Sequence, residues 1–485
     1  MNASKSVKLI ENIKSVVLVV LFLLTILLLY FFWGDRDFRA GADENNYQRP
    51  IAITPLELFQ PNRMEISFVG GTNTITDENF ELMMYCFRSF SVGRNLVAEE
   101  IPREVYEELM RRQSIRAVFE YFIPFSVLTE LHGIDRISGA DNINAVSEIA
   151  YVAGLDDSLF VRERGTGRYF RIAGTNLECF EQLRVAIANT SPNQVYFPLA
   201  TFVGGGIENN TLWPISVENN NIHDISFSRE DFIAQESEIT EIIRSFFGDN
   251  FDFVRRIEET NGTIMYMYGY GEIVVVAHHT GVLEYRRLNN NRNTVQLSYL
   301  QAFSVANEFI AAHGGFTSIN GLAFTPFIRE VEVNPISEQN GFRFIFGVKI
   351  GDGRIFYQHG DAIIIDVING AVSYFRRQMI NLDLDEVLRT QNEYRQAFPS
   401  MVNLIPNNRD FIWETLVDTQ SVNEEYLSQD VRFNIIVEKT TRLDSGYVKI
   451  YEEESILKAA WIVTIYGIEF FFDIEDGKPL GYRLR

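Results

Sequence analysis

The feature that most constrains this chain is an apolar run from Val16 to Trp33, which has no charged residue and a single hydroxyl, that of Thr25. At about 1.5 Å of rise per residue, a helix of this length covers roughly 27 Å, close to the hydrocarbon thickness of a bilayer. The run therefore predicts a transmembrane helix over residues 15–33.

The charges on either side of the run predict its orientation. Residues 1–14 form a short tail with three lysines and one glutamate, whereas residues 35–44 carry more acidic than basic side chains. Because basic residues stay on the cytoplasmic side, we expect the N-terminus inside and about 450 residues outside. The sequence thus predicts a single-pass cell-membrane protein with an extracytoplasmic ectodomain.

A cleaved signal peptide is the alternative interpretation, because Ala40-Gly41-Ala42 fits the small-x-small cleavage pattern. The apolar run, however, exceeds the roughly 7–15 residues of a signal-peptide core, and the cleavage pattern lies far beyond its end. These two points favour an uncleaved signal-anchor.

Composition limits the classes of partner and of fold. The chain of 485 residues has a net charge of −22, and 13% of its residues are aromatic. So acidic a surface repels nucleic acid and anionic headgroups, so nucleic acid is excluded and the lipid bilayer is contacted through one helix only. The aromatic residues cluster in β-branched segments, which favours sheets with sizeable cores.

The two cysteines, Cys86 and Cys179, lie in helix-like contexts. An extracytoplasmic location permits a disulfide, but an ectodomain of this size does not need one. Two buried free thiols are the favoured interpretation, and pairing of the two residues remains the alternative.

A polar, proline-containing tether over residues 34–62 leads into the ectodomain. Residues 63–225 mix helical and strand-like patterns and predict an N-terminal α+β domain. Three sheet units follow, and each combines one helix with an antiparallel sheet. The predicted fold class is therefore α+β, with a single transmembrane helix before a multi-domain ectodomain. The sheet units span residues 229–290, 295–395 and 400–485.

Each sheet unit contains a hairpin in which an apolar strand precedes a glycine turn and a tyrosine with an arginine follows it. The turn glycines are Gly281, Gly370 and Gly477, where a tight hairpin favours positive φ. The tyrosine ring and the arginine stem can serve packing alone. Alternatively, these tyrosine and arginine side chains contact a partner protein of the ectodomain. These candidates are Tyr285, Arg286, Tyr374, Arg376, Tyr482 and Arg483.

Catalytic chemistry finds little support in the sequence. No Cys-x-x-Cys, P-loop or His-Glu-x-x-His motif occurs, and Gly204-Gly205-Gly206 reads as a flexible loop. His278 and His279 are adjacent, but neighbours on a strand point to opposite faces and do not ligate one ion together. We expect no catalytic residue, no metal site and no cofactor.

The apolar run has no Gly-x-x-x-Gly motif, so a partner helix would pack on leucine, valine and phenylalanine side chains. Thr25 can hydrogen-bond to another helix or to the carbonyl of Leu21 in its own preceding turn. The residues predicted to contact a partner helix are Leu21, Thr25, Leu28 and Phe32.

The layout resembles one known family, the YycH-type regulators of Gram-positive bacteria, and its last part is similar to the companion YycI proteins. The resemblance is carried by the single helix ending in Tyr-Phe-Phe-Trp-Gly, by Gly341–Gly347, by the hairpin Asp361–Arg376 and by the segment Ala460–Arg483. It implies a non-enzymatic regulator of an essential cell-wall sensor histidine kinase. It also implies a transmembrane contact with the kinase and an ectodomain contact with a YycI-type companion.

An anchored binding module is the main alternative. Small helix-on-sheet units are also similar to PepSY-like modules, which implies an ectodomain that binds a peptide or a cell-wall fragment in a cleft between units. The sign of regulation, the ligand and the stoichiometry do not follow from the sequence.

Overall fold

Residues Arg49–Arg485 form one compact unit of the computed structural model. The predicted transmembrane helix and its four contact residues lie outside the described residues. Within the described part, no helix is both long and apolar enough to span a membrane. The described residues are 53–76, 80–91, 96–134, 137–155, 157–174, 177–190, 194–203, 209–214, 223–226, 236–288, 295–319, 321–335, 340–351, 353–380, 382, 387, 401–423, 427–450 and 456–484.

The first sheet has ten strands in the order β10-β9-β2-β1-β4-β6-β7-β8-β3-β5. Its pairs are antiparallel, apart from the parallel pair β3–β5 at one edge. The strands are β1 Arg63–Ser67, β2 Asn73–Thr76, β3 Leu96–Ile101, β4 Ser114–Val118, β5 Ile137–Ser138, β6 Val146–Val152, β7 Ser158–Glu163, β8 Tyr169–Ala173, β9 Tyr196–Pro198 and β10 Leu212–Pro214.

The helices of this first part connect the strands and cover the sheet. Helical patterns in the sequence predict helices over residues 77–90, 103–112 and 177–188, and the structure has the helices Phe80–Ser91, Arg103–Met110 and Leu177–Asn189 at these places. The remaining helices here are short: Pro55–Leu58, Phe125–Leu131 and Ala200–Val203.

The interpretation of two free thiols is wrong, because Cys86 is disulfide-bonded. Cys86 lies in the helix Phe80–Ser91, which packs against the helix Leu177–Asn189. The chain's one other cysteine, Cys179, belongs to that second helix. Contact between two helices that are about 90 residues apart in the chain is a tertiary feature that local sequence patterns do not reveal.

The second sheet has fourteen strands, of which twelve follow the order β12-β13-β14-β15-β20-β19-β17-β18-β21-β22-β23-β24. Two more strands lie beside this path, β11 on β22 and β16 on β17. The strands are β11 Ile225–Ser226, β12 Arg255–Glu258, β13 Ile264–Tyr268, β14 Ile273–His278, β15 Val282–Arg287, β16 Thr325–Val333, β17 Gly341–Ile350, β18 Gly353–Tyr357, β19 Ile363–Ile368, β20 Ala371–Gln378, β21 Thr440–Lys449, β22 Ile456–Ile465, β23 Ile468–Asp473 and β24 Pro479–Leu484.

The three predicted hairpins are present as β14–β15, β19–β20 and β23–β24. In the second of them, Asn369 and Gly370 have φ values of 51° and 84°, the left-handed pair that a two-residue hairpin turn requires. The strands of all three predicted sheet units run together in one sheet. The mixture of helices and antiparallel strands confirms the α+β class.

Helices of the second part pack on one face of this sheet. The helix Tyr299–Ala312 begins at a capping box formed by Ser298 and Gln301. Its buried Phe303 lies 5.8 Å, centroid to centroid, from Phe344 of β17. The other principal helices are Glu236–Phe247, Arg409–Asp418 and Gln429–Lys439.

A layer of buried charges connects the two sheets, and we call it the ionic junction. Glu120, which follows β4, pairs with Arg63 of β1 at 3.5 Å and with Arg442 of β21. Arg442 also pairs with Asp444, which lies 3.7 Å from Arg354 of β18. All of these side chains are at least four-fifths buried. The full set is Arg63, Glu65, Arg116, Glu120, Glu148, Arg354, Arg442 and Asp444.

Candidate interaction surface

Three of the predicted contact residues meet on the neighbouring strands β15 and β20. Their antiparallel register places Arg286 opposite Tyr374 and Glu284 opposite Arg376. Because residues two apart on a strand share a face, these four side chains lie on the same side of the sheet. We call this group the arginine surface.

The arginine surface is held by short polar contacts. The Arg286 guanidinium lies 3.2 Å from a carboxylate oxygen of Glu284 and 5.7 Å from the centroid of the Tyr374 ring. Arg376 lies 3.6 Å from the other oxygen of Glu284 and donates a hydrogen bond to the carbonyl of His359. Glu284 thus orients both arginines.

Exposure differs sharply between the two arginines. The side chain of Arg286 is 68% exposed, whereas that of Arg376 is 15% exposed. Burial raises the pKa of Tyr374, and Glu284 adds to this effect while the two arginines oppose it, so the phenol stays neutral and can donate or accept a hydrogen bond. The surface offers a planar cation and a phenol to a partner, which suits recognition of carboxylates or carbonyls.

Tyr285 points away from this surface, into the core. Its ring stacks on Phe246 at 5.2 Å and packs against Phe309 of the helix Tyr299–Ala312. Burial raises the pKa of Tyr285. Tyr285 therefore has the packing role and does not contact a partner from this surface.

The third predicted pair, Tyr482 and Arg483, lies apart from the arginine surface, on the edge strand β24. Arg483 is buried, donates hydrogen bonds of 2.6 Å to Glu469 and 3.0 Å to the carbonyl of Tyr357, and belongs to an ion cluster with Arg329. Tyr482 is 37% exposed, and its ring lies 6.4 Å from that of Phe470. Its role as a contact residue stays a prediction.

The sequence patterns missed Glu284, although a signal for it is present. In the segment Val282–Arg287 the side chains alternate between the faces of the sheet, so Glu284 and Arg286 share a face whereas Tyr285 takes the other. Alternation therefore separates Tyr285 from Arg286, although the two are adjacent in sequence. It also groups Tyr374 with Arg376.

The adjacent histidines contact different groups, as alternation predicted. His278 Nε2 lies 3.9 Å from a carboxylate oxygen of Glu284, whereas His279 Nδ1 lies 3.3 Å from the hydroxyl of Thr263. In the described part of the chain, no group of three or more histidine, cysteine, aspartate or glutamate residues could hold a metal ion.

Two small cavities open among the described residues. One of about 110 Å³ lies between Val295 and the turn at Gly370, and one of about 80 Å³ lies between Phe202 and Phe433. Pockets for organic ligands usually measure roughly 300–1,000 Å³, so neither cavity has room for a peptide or a wall fragment. A cleft for such a ligand between the sheet units has no support in these two cavities.

Comparison with known proteins gives a likeness of fold. No family model matches the sequence, and no curated protein matches it either. The structure of YycH from Bacillus subtilis is similar, with 10% identity and a TM-score of 0.51, over 86% of this chain and 96% of that one. An uncharacterized protein from Eubacterium rectale covers 60% of this chain and 94% of its own, with 9% identity and a TM-score of 0.34.

Proposed function

We propose that this chain is a membrane-anchored, extracytoplasmic regulator of a cell-wall sensor histidine kinase, which acts through protein–protein contacts and not as an enzyme. The observation that carries the proposal is the YycH-like fold, which extends over 86% of the chain. The shared fold points to a regulatory protein. The kinase and a YycI-type companion are the proposed partners.

The disulfide at Cys86 supports an extracytoplasmic ectodomain. Disulfides persist in oxidising compartments and are rare where cytosolic reductants keep thiols reduced. The charge asymmetry around the run Val16–Trp33 gives the same orientation. We therefore propose a cytoplasmic N-terminus and an ectodomain outside the cell membrane.

Two surfaces would act together in this mechanism. The helix of Val16–Trp33 would contact helices of the kinase through Leu21, Thr25, Leu28 and Phe32, and the arginine surface would contact an ectodomain partner. A regulator shifts the equilibrium between two kinase states only by its difference in affinity for them. The helix anchors the chain beside the kinase and contacts it. The arginine surface adds the difference in affinity that depends on the ectodomain partner.

A helix-swap experiment tests the proposal. Residues 15–33 are replaced by an unrelated transmembrane helix of equal length in the full chain, and a reporter of the kinase's target genes is measured in cells. We expect regulation to weaken at least tenfold while the ectodomain keeps its melting temperature. Unchanged regulation would exclude the transmembrane contact.

A matched variant separates contact from anchoring. Thr25→Leu keeps the run apolar and anchored, so it alters only the contact surface, whereas the swap changes the whole helix. A third version keeps the native transmembrane helix and carries Arg286→Ala. If none of the three versions alters the reporter, the regulatory function itself is wrong.

A further inference from the structure

The strand β12, Arg255–Glu258, lies at one edge of the fourteen-stranded sheet. Its inner side pairs with β13, and in the part of the chain that the structure describes no strand pairs with its outer side. In the turn that follows, the N–H of Glu259 donates to the carbonyl of Thr263, so these two residues form a hydrogen-bonded pair. Such pairs alternate along an antiparallel ladder, so the peptide groups of Arg256 and Glu258 point outward.

The two ends of this strand order differ in how they are protected. At the other end, β24 begins with Pro479, which has no N–H to donate, and its register on β23 shifts between Phe471 and Phe472. Prolines and bulges keep an edge strand from pairing with another chain. β12 contains no proline, and its register on β13 is unbroken. β12 is therefore the edge that can accept a further strand.

The charges along β12 and the residue after it are arranged so that they complement themselves. The segment reads Arg255-Arg256-Ile257-Glu258-Glu259, with two cations before one apolar residue and two carboxylates after it. The four charged residues are exposed, and Ile257 is partly buried. When the segment is turned end for end, each carboxylate stands where an arginine stood. The strand that this order fits best is a second copy of itself, running antiparallel.

We propose that β12 pairs with β12 of a second copy of this chain, antiparallel and centred on Ile257, so that the two sheets join into one. Arg256 then lies opposite Glu258 of the second copy, and their outward peptide groups exchange hydrogen bonds. Arg255 lies opposite Glu259 of the second copy. Opposite charges on facing strand residues stabilise the pairing of two strands, whereas like charges destabilise it.

Symmetry and charge together select this register. Two identical antiparallel strands are related by a two-fold axis, and facing residues must share a face of the sheet, so the axis passes through one residue position. An axis at Arg256 places two arginines against each other, and an axis at Glu258 does the same with two carboxylates. An axis at Ile257 instead brings two apolar side chains together, at a non-hydrogen-bonded position where the Cα atoms approach to about 4.5 Å.

The charges within one chain leave this pairing open. Arg256 lies 3.0 Å from Glu258 of the same strand, and the two side chains are 43% and 57% exposed. Because water reaches both, they can pair across the axis without leaving a buried charge uncompensated. The net charge of −22 opposes the approach of two copies, but physiological salt screens charges beyond about 8 Å, whereas the facing pairs are in contact.

An exposed aromatic residue enlarges the contact. Phe253, just before β12, is 78% exposed, and the register centred on Ile257 brings it beside the turn at residues 260–262 of the second copy. A contact through one short strand is small, so we expect weak association in free solution. Two copies held in one membrane meet at a higher effective concentration, and this step alone rests on the proposed function.

Disulfide formation at the axis tests the register on the full chain in intact membranes. Because Cys86 is already disulfide-bonded, I257C adds a thiol at a position of known surroundings. Facing non-hydrogen-bonded residues lie within disulfide range, so mild oxidation should link two copies of I257C. R256C and E258C, each made alone, should give at least tenfold less dimer, because neither position faces itself in this register.

Charge reversal tests the pairing itself in the I257C background. R255E/R256E and E258R/E259R each set like charges against each other, so each should lower the dimer yield at least tenfold. A mixture of the two variants, and one chain that carries all four changes, should both recover it. R256A alone leaves the pair of Arg255 with Glu259 in place and should change the yield little. Melting temperatures should stay constant, because the changed side chains are exposed.

Several outcomes overturn the inference. No dimer of I257C, an equal or higher yield for R256C or E258C, an adduct of I257C to a different protein, or no recovery on charge exchange each exclude it. A photoreactive residue at Thr25 in the same membranes reports the proposed function separately. A kinase adduct at position 25 without the I257C dimer removes the edge pairing and leaves the regulator intact. The reverse result supports the pairing and removes the kinase contact.

Discussion

Arginine–carboxylate pairs occur in two contrasting regions of this molecule, the ionic junction between the sheets and the arginine surface on β15 and β20. In the junction, the side chains of Arg442 and Asp444 are only 8% and 15% exposed. On the surface, Arg286 is 68% exposed while its partner Glu284 is partly covered. The same chemistry therefore joins two sheets in one place and leaves a donor available to a partner in the other.

The difference follows from the cost of desolvation. A buried ion pair repays the loss of hydration only through good geometry, and removing one partner leaves an uncompensated charge. An exposed pair gains little, because water and salt screen it. Substitutions that remove one charge should therefore have large effects in the junction and small effects on the surface.

The largest effect is expected for Asp444→Ala. The substitution removes the carboxylate that pairs with both Arg442 and Arg354. Their buried guanidinium groups then lose one of their compensating charges. We expect a loss of about 3–5 kcal/mol of unfolding free energy, measured by guanidinium denaturation of the full chain in detergent micelles. Arg286→Ala, which removes the 68% exposed side chain of the arginine surface, is the control, with a loss of at most about 1 kcal/mol. Equal losses would abolish the contrast between the two regions.

A second prediction concerns Arg377, a buried arginine held by carbonyls instead of carboxylates. It donates to the carbonyls of His313 and Thr317, and burial lowers its pKa to about 10. Arg377→Met removes the donor from one buried and one partly buried carbonyl, so we expect a loss of about 1–3 kcal/mol in the same denaturation experiment.

Arg286→Met serves as the exposed control for this substitution. A gain in stability on Arg377→Met would show that the desolvation of this cation costs more than its two hydrogen bonds return.

Acid should destabilise the ionic junction. Burial raises the pKa of Asp444, but Arg442, Arg354 and Arg63 outweigh it, and the pKa lies below its usual range. The pKa of Glu65 is lowered in the same way by Arg116 and Arg63. Stability from these groups is present above the unfolded-state pKa of about 4 and is lost as the pH falls through the lower folded-state values.

Denaturation midpoints between pH 7 and pH 2 measure this loss. In Asp444→Asn the acid-dependent part of the curve should flatten. A wild-type midpoint that stays constant below pH 4 would contradict the prediction.

The smallest effect on stability is expected for Arg286→Ala, within about 0.5 kcal/mol, because the side chain is exposed and its pair with Glu284 is screened. Regulation in the reporter assay should nevertheless weaken, since the removed guanidinium is the accessible donor of the arginine surface. Arg256→Ala, which removes another exposed arginine of the same sheet, is the control. Equal effects of both variants on the reporter would remove the arginine surface from the mechanism.

Much of the fold could be predicted from local patterns. The hairpin glycines predict the β14–β15, β19–β20 and β23–β24 hairpins. Amphipathic spacing over residues 409–417 predicts a helix there, which the structure has as Arg409–Asp418. The helix Gln429–Lys439 was missed because its apolar residues keep no clear period, although Ser428 at its start is a typical N-cap.

The junction and the disulfide could not be predicted in this way. Arg63 and Asp444 belong to different sheets and are separated by most of the chain, so no local pattern relates them. Arg286 and Tyr374 likewise become neighbours only through the register of β15 on β20. Candidate residues could be proposed from sequence, but only the pairing of strands decides which of them share a surface.

The short strand β11 has a consequence for the order in which the chain folds. Ile225 and Ser226 pair with β22, and Asn209 donates to the carbonyl of Thr440, 231 residues later in the chain. Contacts this distant in sequence form late, after much of the intervening chain has been ordered. During synthesis the end of the first half must therefore wait, incompletely paired, until the last hundred residues arrive. A chain that is interrupted before β22 keeps an open strand, which makes truncated products aggregation-prone.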